Sequence, residues 1–203
     1  ADTLARLARI FETRPEIAAA IGSYDDRPPE PNFISQYKNL FHHYVHRRNA
    51  GQTPTFWSGC GAMRRELFLS LGGFDEHRYP RPAIEDIELG TWLTAAGHRI
   101  VLDDNIKVTH LKRWTLWTMI KSDIFDRAVP WTRLMLRAGK VPNALNVTMA
   151  QRTSVVLVYS TIFAVVWAIW FPPAWAVAGL LCLAVTVLNW DFYSYIALRR
   201  GVW

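Results

Sequence analysis

Cysteine is scarce in this sequence, with only 2 in 203 residues. Cys60 lies in a glycine-rich stretch and Cys182 in uninterrupted apolar chain. A disulfide framework is therefore excluded as the basis of the fold, and a reducing compartment is expected. Charge is missing altogether from Val155 to Trp190. A gap of that length excludes an ordinary solvated surface there and points to lipid. Also lacking is any Lys/Arg stripe with interleaved aromatics. The net charge of +6 is thus read as suited to anionic lipid or phosphate-bearing substrates, and not to nucleic acid. An initiator Met and a signal peptide are absent as well. The chain runs from Ala1-Asp2-Thr3-Leu4 straight into a helical pattern, which reads as the cut end of a longer domain.

Punctuation and periodicity give the organisation. Thr3 to Thr13 reads as a helix capped by Asp2 or Thr3 and stopped before Pro15. Ile17 to Ser23 is apolar and of strand length, so a buried strand is expected. Asp25 to Pro31 is a loop. Phe33 to His46 reads as a helix whose face carries Phe33, Tyr37, Leu40, Phe41 and Tyr44. Thr55 to Met63 is extended and broken by glycine. Arg64 to Leu71 is a short helix stopped by Gly72-Gly73. The polar, proline-bearing residues 75–84 form a loop, which could be a mobile lid. Ile84 to Ala96 is a helix with Ile87, Trp92 and Leu93 as its buried candidates. Ile100 to Leu102 and Ile106 to Thr109 read as short strands around Asp103-Asp104-Asn105. Mixed strands and helices imply an α/β domain.

The last third is different. Val155 to Phe171 and Ala174 to Leu188 are apolar runs broken by Pro172-Pro173. In lipid every backbone group must be bonded internally, so two spans joined as a helical hairpin are expected. Arg152 before the first run, with Arg199 and Arg200 after the second, places both ends in the cytoplasm. A buried hairpin of a soluble protein is the alternative, but too little of the chain remains to wrap one. Between domain and hairpin, Trp114 to Arg137 mixes Trp117, Ile120, Ile124, Phe125 and Trp131 with Lys121, Arg127, Arg133 and Arg137. This suits a helix lying in a membrane surface. A core helix packed on the domain would have much the same composition.

Chemistry concentrates in residues 55–114. Glu85, Asp86 and Glu88 stand in the first turn of a helix, where the dipole favours carboxylates whether or not they have a function. One such Asp could act as a general base. His42 and His46 are spaced i, i+4, as zinc ligands can be, but no third ligand sits suitably. Cys60 lacks a local histidine to activate it. Asp75-Glu76 reads as the end of a turn.

The order Phe56-Trp57-Ser58-Gly59-Cys60-Gly61-Ala62-Met63-Arg64-Arg65, then Gly72-Gly73-Phe74-Asp75-Glu76, then Glu85-Asp86-Ile87-Glu88-Leu89, then His110-Leu111-Lys112-Arg113-Trp114 resembles the second half of the family 2 glycosyltransferases, over roughly residues 1–137. The resemblance implies the C-terminal portion of a GT-A nucleotide-diphospho-sugar transferase domain (1–113), then amphipathic interface helices and a linker (114–152), then two transmembrane helices with a short cytoplasmic tail (153–203). It implies inverting sugar transfer from a nucleotide-sugar donor to a lipid-linked or polysaccharide acceptor at the inner (cytoplasmic) membrane face. Asp86 would be the catalytic base, with Glu85 beside it in the catalytic motif. Trp57, Ser58, Gly59, Cys60 and Gly61 would cradle the acceptor, the glycines letting sugar approach the backbone. Arg113 and Trp114 would hold the diphosphate.

The chain departs from that pattern twice. His110 stands where processive synthases carry Gln, and becomes a candidate ligand for a divalent Mn or Mg ion. The Asp-x-Asp motif that binds most of this metal is missing before the first helix. Asp25-Asp26 and Asp103-Asp104 are loop pairs in the wrong places. Expected partners are the sugar nucleotide, a lipid-linked or glycan acceptor and membrane lipids. The competing expectation is a non-catalytic, membrane-anchored module that binds glycan or a partner subunit.

Overall fold

A computed structural model describes residues 2–139 and 141–201. The chain divides into two compact units, Ala1–Ala144 and Leu145–Trp203, and each is taken by itself.

In the first unit α1 (Thr3–Thr13) leads into β1 (Ile17–Tyr24), and α2 (Phe33–Arg48) into β2 (Gly51–Thr53). A 3-10 turn at Ser58–Cys60 precedes β3 (Gly61–Met63), α3 (Arg65–Ser70), α4 (Glu85–Ala95) and β4 (Arg99–Val108). The sheet order is β2-β4-β1-β3. β1 pairs parallel with β4 and antiparallel with β3, and β2 runs antiparallel to β4. The apolar run from Ile17 to Ile21 is buried throughout, as a strand covered on both faces must be. Leu7 of α1 packs into the core formed by Ile17, Ala20, Cys60, Val101 and Ile106, with Ile10 and Phe11 alongside. Truncating Leu7 to Ala would cost about 2–5 kcal/mol.

Several elements differ from the sequence expectation. Asp2 stands at the cap position of α1, but its carboxylate binds Arg6 and no backbone N–H. The two short strands around residues 103–105 are a single strand, β4. Its pairing with β1 jumps from Ile21↔Leu102 to Ser23↔Lys107. The extra residues are folded into a bulge in which the Asp103 carboxylate accepts from the Asn105 N–H at 3.0 Å; a local bond of this kind lets a strand continue past an insertion. In α4 it is Leu89, Gly90 and Leu93 that are buried, while Ile87 and Trp92 are only partly covered.

The largest departure is α2. The expected aromatic face does not form its core contact: Phe33 is exposed, and Phe33, Tyr37 and Phe41 stack along the helix with centroids 6.2 Å apart. The buried side instead carries Ser35, Gln36, Lys38, Asn39, His43 and His46 around Leu40 and Val45. A polar face turned inward is costly unless it is bonded. Here Asn39 donates to the Asp25 carbonyl, Gln36 to the Pro28 and Glu30 carbonyls, and His43 Nδ1 bonds the Tyr24 carbonyl.

After β4 the chain forms one helical run: α5 (Leu116–Lys121), a π-helical segment (Ser122–Ala128) and α6 (Val129–Ala138). Pro130 gives a reason for the π segment, since it cannot donate to the carbonyl four residues back and its ring needs a widened turn. Of the run's described residues Leu134 is buried, and polar side chains also face the domain. Asp123, Asp126 and Arg127 bond the domain through Lys38, Arg81 and His42. Trp117, Ile124, Phe125 and Leu136 are exposed. It falls within the first unit.

The second unit holds α7 (Met149–Trp167), α8 (Ala174–Leu188) and α9 (Trp190–Arg200). Asn189 Nδ2 donates to Ser154 Oγ at 2.8 Å, tying the end of α8 to the start of α7. The apolar helices therefore form a hairpin turned at Pro172-Pro173. Among the described residues one helix, α7, is by itself long and apolar enough to cross a membrane. At 15 residues, α8 rises only about 22 Å against a hydrocarbon core of about 30 Å. It meets the same criterion only together with α9, from which it is bent by 67°. Where the sequence suggested two transmembrane helices and a short tail, the described residues hold one span-length helix and one bent pair that together count as at most two spans.

Candidate functional site

In α/β sheets the loops beyond the carboxyl ends of parallel strands are where ligands bind. β1 ends at Tyr24, and His110 follows two residues after β4. Their rings lie 4.4 Å apart. Trp57, from the turn before β3, stands edge-on to Tyr24 at 4.7 Å and to His46 of α2 at 4.9 Å. His42, one turn earlier on α2, meets Tyr24 at 6.0 Å. Five aromatic rings from four segments thus gather at one end of the parallel pair.

Asp86 reaches this cluster from α4. Its Oδ2 accepts from the Ser58 N–H at 2.9 Å and the Ser58 hydroxyl at 2.8 Å, and its Oδ1 from the Ile87 N–H at 2.8 Å. A carboxylate offers about four lone-pair sites, so three are used and one remains. Only 9% of Asp86 is exposed. Burial pushes its pKa above the usual 3.8, the two Ser58 bonds pull it down, and neighbouring Glu85 raises it further. The outcome is a stronger base than a surface aspartate. Glu85 turns its own carboxylate back to the Ala83 N–H at 2.7 Å, closing the loop before α4.

The Gly-rich turn is packed against its own aromatics. A Cβ on Gly59 would lie 2.4 Å from the Trp57 ring, and one on Gly61 would lie 2.6 Å from the Phe56 ring. Both glycines make room for the chain's own aromatics. Cys60 is buried, and burial raises its thiol pKa, which suits a packing group and not a nucleophile. Ser58, Gly59 and part of Trp57 remain accessible.

Trp114 and Arg113 part company. Trp114 is buried, its N–H donates to Ser35 Oγ at 2.8 Å and its carbonyl accepts from Asn32 Nδ2 at 2.6 Å, so the chain after β4 is sewn onto the start of α2. His110 stacks at 6.3 Å and Lys112 Nζ lies 3.8 Å over the ring. Arg113 is exposed and faces Glu30 at 3.6 Å. Positive charge at the cluster comes from Lys112, from Arg127, 3.4 Å from His42 Nε2, and from Lys38, a buried ammonium held by Asp123 at 2.5 Å. Burial lowers the pKa of Lys38 while Asp123 opposes the shift.

The imidazoles of α2 and His110 are pushed toward neutrality. Burial is the first cause for His42, His43, His46 and His110, and His46 falls to about 4. Lys112, Arg127 and Lys38 add to the effect at His110. A neutral imidazole can ligate a metal. Among the described residues, however, no group of three His, Cys, Asp or Glu side chains is placed to hold one, so His110 has no companion ligands there, and His42 and His46 form no zinc site.

The sequence reading missed Tyr24, Arg127 and Lys38 as members of this cluster. Tyr24 carried a usable signal, since it closes an apolar strand directly before a loop. Arg127 and Lys38 carried none, as each lies on a helix whose orientation the sequence leaves open. Comparison of the chain with protein-family models, curated proteins and solved structures finds no match.

Proposed function

We propose that this chain carries the acceptor side of an inverting, membrane-bound glycosyltransferase of the GT-A type, with Asp86 as general base. The reading rests on the ordered motifs from Phe56 to Trp114. The single observation that carries it is the Asp86 carboxylate: nearly buried, oriented by Ser58 and left with one free lone pair beside Trp57 and Tyr24. An acceptor hydroxyl would give its proton to Asp86 as its oxygen attacks the anomeric carbon of the nucleotide sugar. The bond to the diphosphate breaks on the opposite face, which inverts the configuration. Arg127 and Lys38 supply the positive field for the leaving diphosphate, taking the part the motif comparison gives to Arg113. A divalent cation belongs to the resemblance. His110 is the ligand that the resemblance points to, and no step here passes through the ion.

Location at the cytoplasmic face of the inner membrane is part of the same proposal. Support comes from the span-length α7, from Arg152, Arg199 and Arg200 at the ends of the hairpin, and from the outward apolar face of the helical run at 116–138. The acceptor is then lipid-linked or a growing cell-envelope polysaccharide.

The test is sugar transfer by membranes bearing the protein, compared with Asp86→Asn. Positioned general bases contribute about 10²–10⁴-fold, and a loss in that range with unchanged thermal melting is expected. Arg113 facing Glu30 favours the competing reading, a membrane-anchored glycan-binding module. Such a module would bind glycan equally well with Asn at position 86 and would show no transfer to lose.

A further inference from the structure

The loop between α3 and α4 does more than lead to Asp86. Arg78 donates to the Glu88 carboxylate at 2.6 Å and approaches Asp75 at 3.7 Å. Glu88 is itself buried. The loop is therefore stapled to α4, and its next residues meet the π segment and α6. There Arg78, Arg81, Arg133 and Arg137 converge on one cavity of about 190 Å³, shared with Asp126 and Phe125. Arg81 is compensated by Asp126 at 3.0 Å, and Arg78 by Glu88 and Asp75. Arg133 and Arg137 have no carboxylate of the described residues within ion-pair distance. They stand i, i+4 on α6, so their side chains leave the same face. Two uncompensated guanidinium forks at the mouth of a pocket match the oxygens of a phosphate group.

The surroundings state what carries that phosphate. Phe125 lines the cavity and is exposed, and Val129 and Leu136 on the same helical run are exposed with it. A free anion gains nothing from such a border, whereas an amphiphile can lay its chain there. The volume is below the roughly 300–1,000 Å³ of sites that enclose a drug-sized ligand. It accepts a headgroup and leaves the tails outside.

We propose that the four-arginine pocket between the 75–83 loop and α6 binds the phosphate headgroup of a membrane lipid, gripped by Arg133 and Arg137. This site needs no glycosyl transfer and no participation by Asp86.

The experiment uses the full chain in neutral detergent micelles and measures binding of dihexanoylphosphatidic acid, dihexanoylphosphatidylcholine and inorganic phosphate. Phosphatidic acid should bind most tightly and phosphatidylcholine, whose choline offsets the phosphate charge, more weakly. The double variant Arg133→Ala/Arg137→Ala should weaken phosphatidic acid binding by about tenfold or more. The Arg133→Lys/Arg137→Lys variant should lose less, since it keeps the charge without the fork. Both residues are exposed, so melting should match the parent. Asp86→Asn should bind phosphatidic acid normally, even if the transfer proposal fails. Undiminished phosphatidic acid binding by the double alanine variant overturns the site. Inorganic phosphate binding as tightly as phosphatidic acid overturns the lipid, leaving a simple anion pocket. Loss of binding in Asp86→Asn overturns the placement.

Discussion

At the scale of single residues, Asp86 and Ser58 form the unit on which the proposed chemistry turns. Ser58 supplies two of the three hydrogen bonds to the carboxylate, and these bonds hold its pKa down against burial. Ser58→Ala removes the hydroxyl bond and keeps the backbone one. The pKa of Asp86 should then rise further. A general base works only when ionised, so the acid limb of kcat/KM should move to higher pH, as a pH–rate profile would record. For stability the sign is opposite to that of a paired carboxylate. The native state binds the proton more tightly than the unfolded one, so this group's contribution to stability falls as pH rises through 3.8 to its raised native value. His46 acts at the other end of the acid range. Its native pKa of about 4 lies below the ordinary 6.5, so the neutral ring favours folding at pH 7. That contribution, about 3 kcal/mol, should be lost as pH falls from 6.5 to 4. Thermal melting over that range should flatten in His46→Gln.

At the scale of elements, α4 is fixed by two contacts that make different predictions. A Cβ at Gly90 would lie 2.1 Å from the Phe56 backbone nitrogen, so α4 meets the strand-like segment before Trp57 backbone to backbone. Gly90→Ala must push them apart, at about 1–3 kcal/mol, and should also displace Ser58 from Asp86. A lowered melting temperature together with reduced transfer would report both. The staple between Arg78 and Glu88 is asymmetric: Glu88 is 3% exposed, whereas the Arg78 side chain is 42% exposed. Arg78→Ala strands a buried carboxylate, while Glu88→Gln leaves a cation that water can reach. The arginine variant should melt lower than the glutamine variant, and limited proteolysis should cut the 75–83 loop faster in both. Helices and strands with one strong pattern were legible in the sequence: α1, β1, the α3 stop at Gly72-Gly73 and the reach of α4. The buried face of α2 was not. Its aromatics are spaced as a core stripe would be, yet of that face only Leu40 is buried, with Phe33 exposed and Tyr37, Phe41 and Tyr44 partly covered. The fold instead offers carbonyls at Tyr24, Asp25 and Pro28 that only polar side chains can satisfy.

At the scale of the whole molecule, the apolar C-terminal unit makes the clearest physical claim. α7 leaves Val155, Ile162 and Phe163 more than half exposed. Ile162→Lys would place a charge near the middle of the helix, where insertion costs about 2.5–3.5 kcal/mol more. The fraction of protein that resists carbonate extraction from membranes should fall accordingly, while a chain held only by the surface of the 116–138 run would be indifferent to the change.

Composition and pattern alone determined that this chain has an α/β part, an apolar hairpin around Pro172-Pro173, and carboxylates in the first turn of α4. Those features follow from forces acting between neighbours in sequence: periodic burial, proline's missing N–H, the helix dipole. Only the tertiary structure decided that Ser58 orients Asp86, that Arg127 and Lys38 and not Arg113 attend the aromatic cluster, and that α8 is too short to span alone. Each of those depends on residues about 30 to 90 positions apart being brought within a few ångströms, or on where a helix bends, and the energy that selects one such arrangement is spread over the whole packed core.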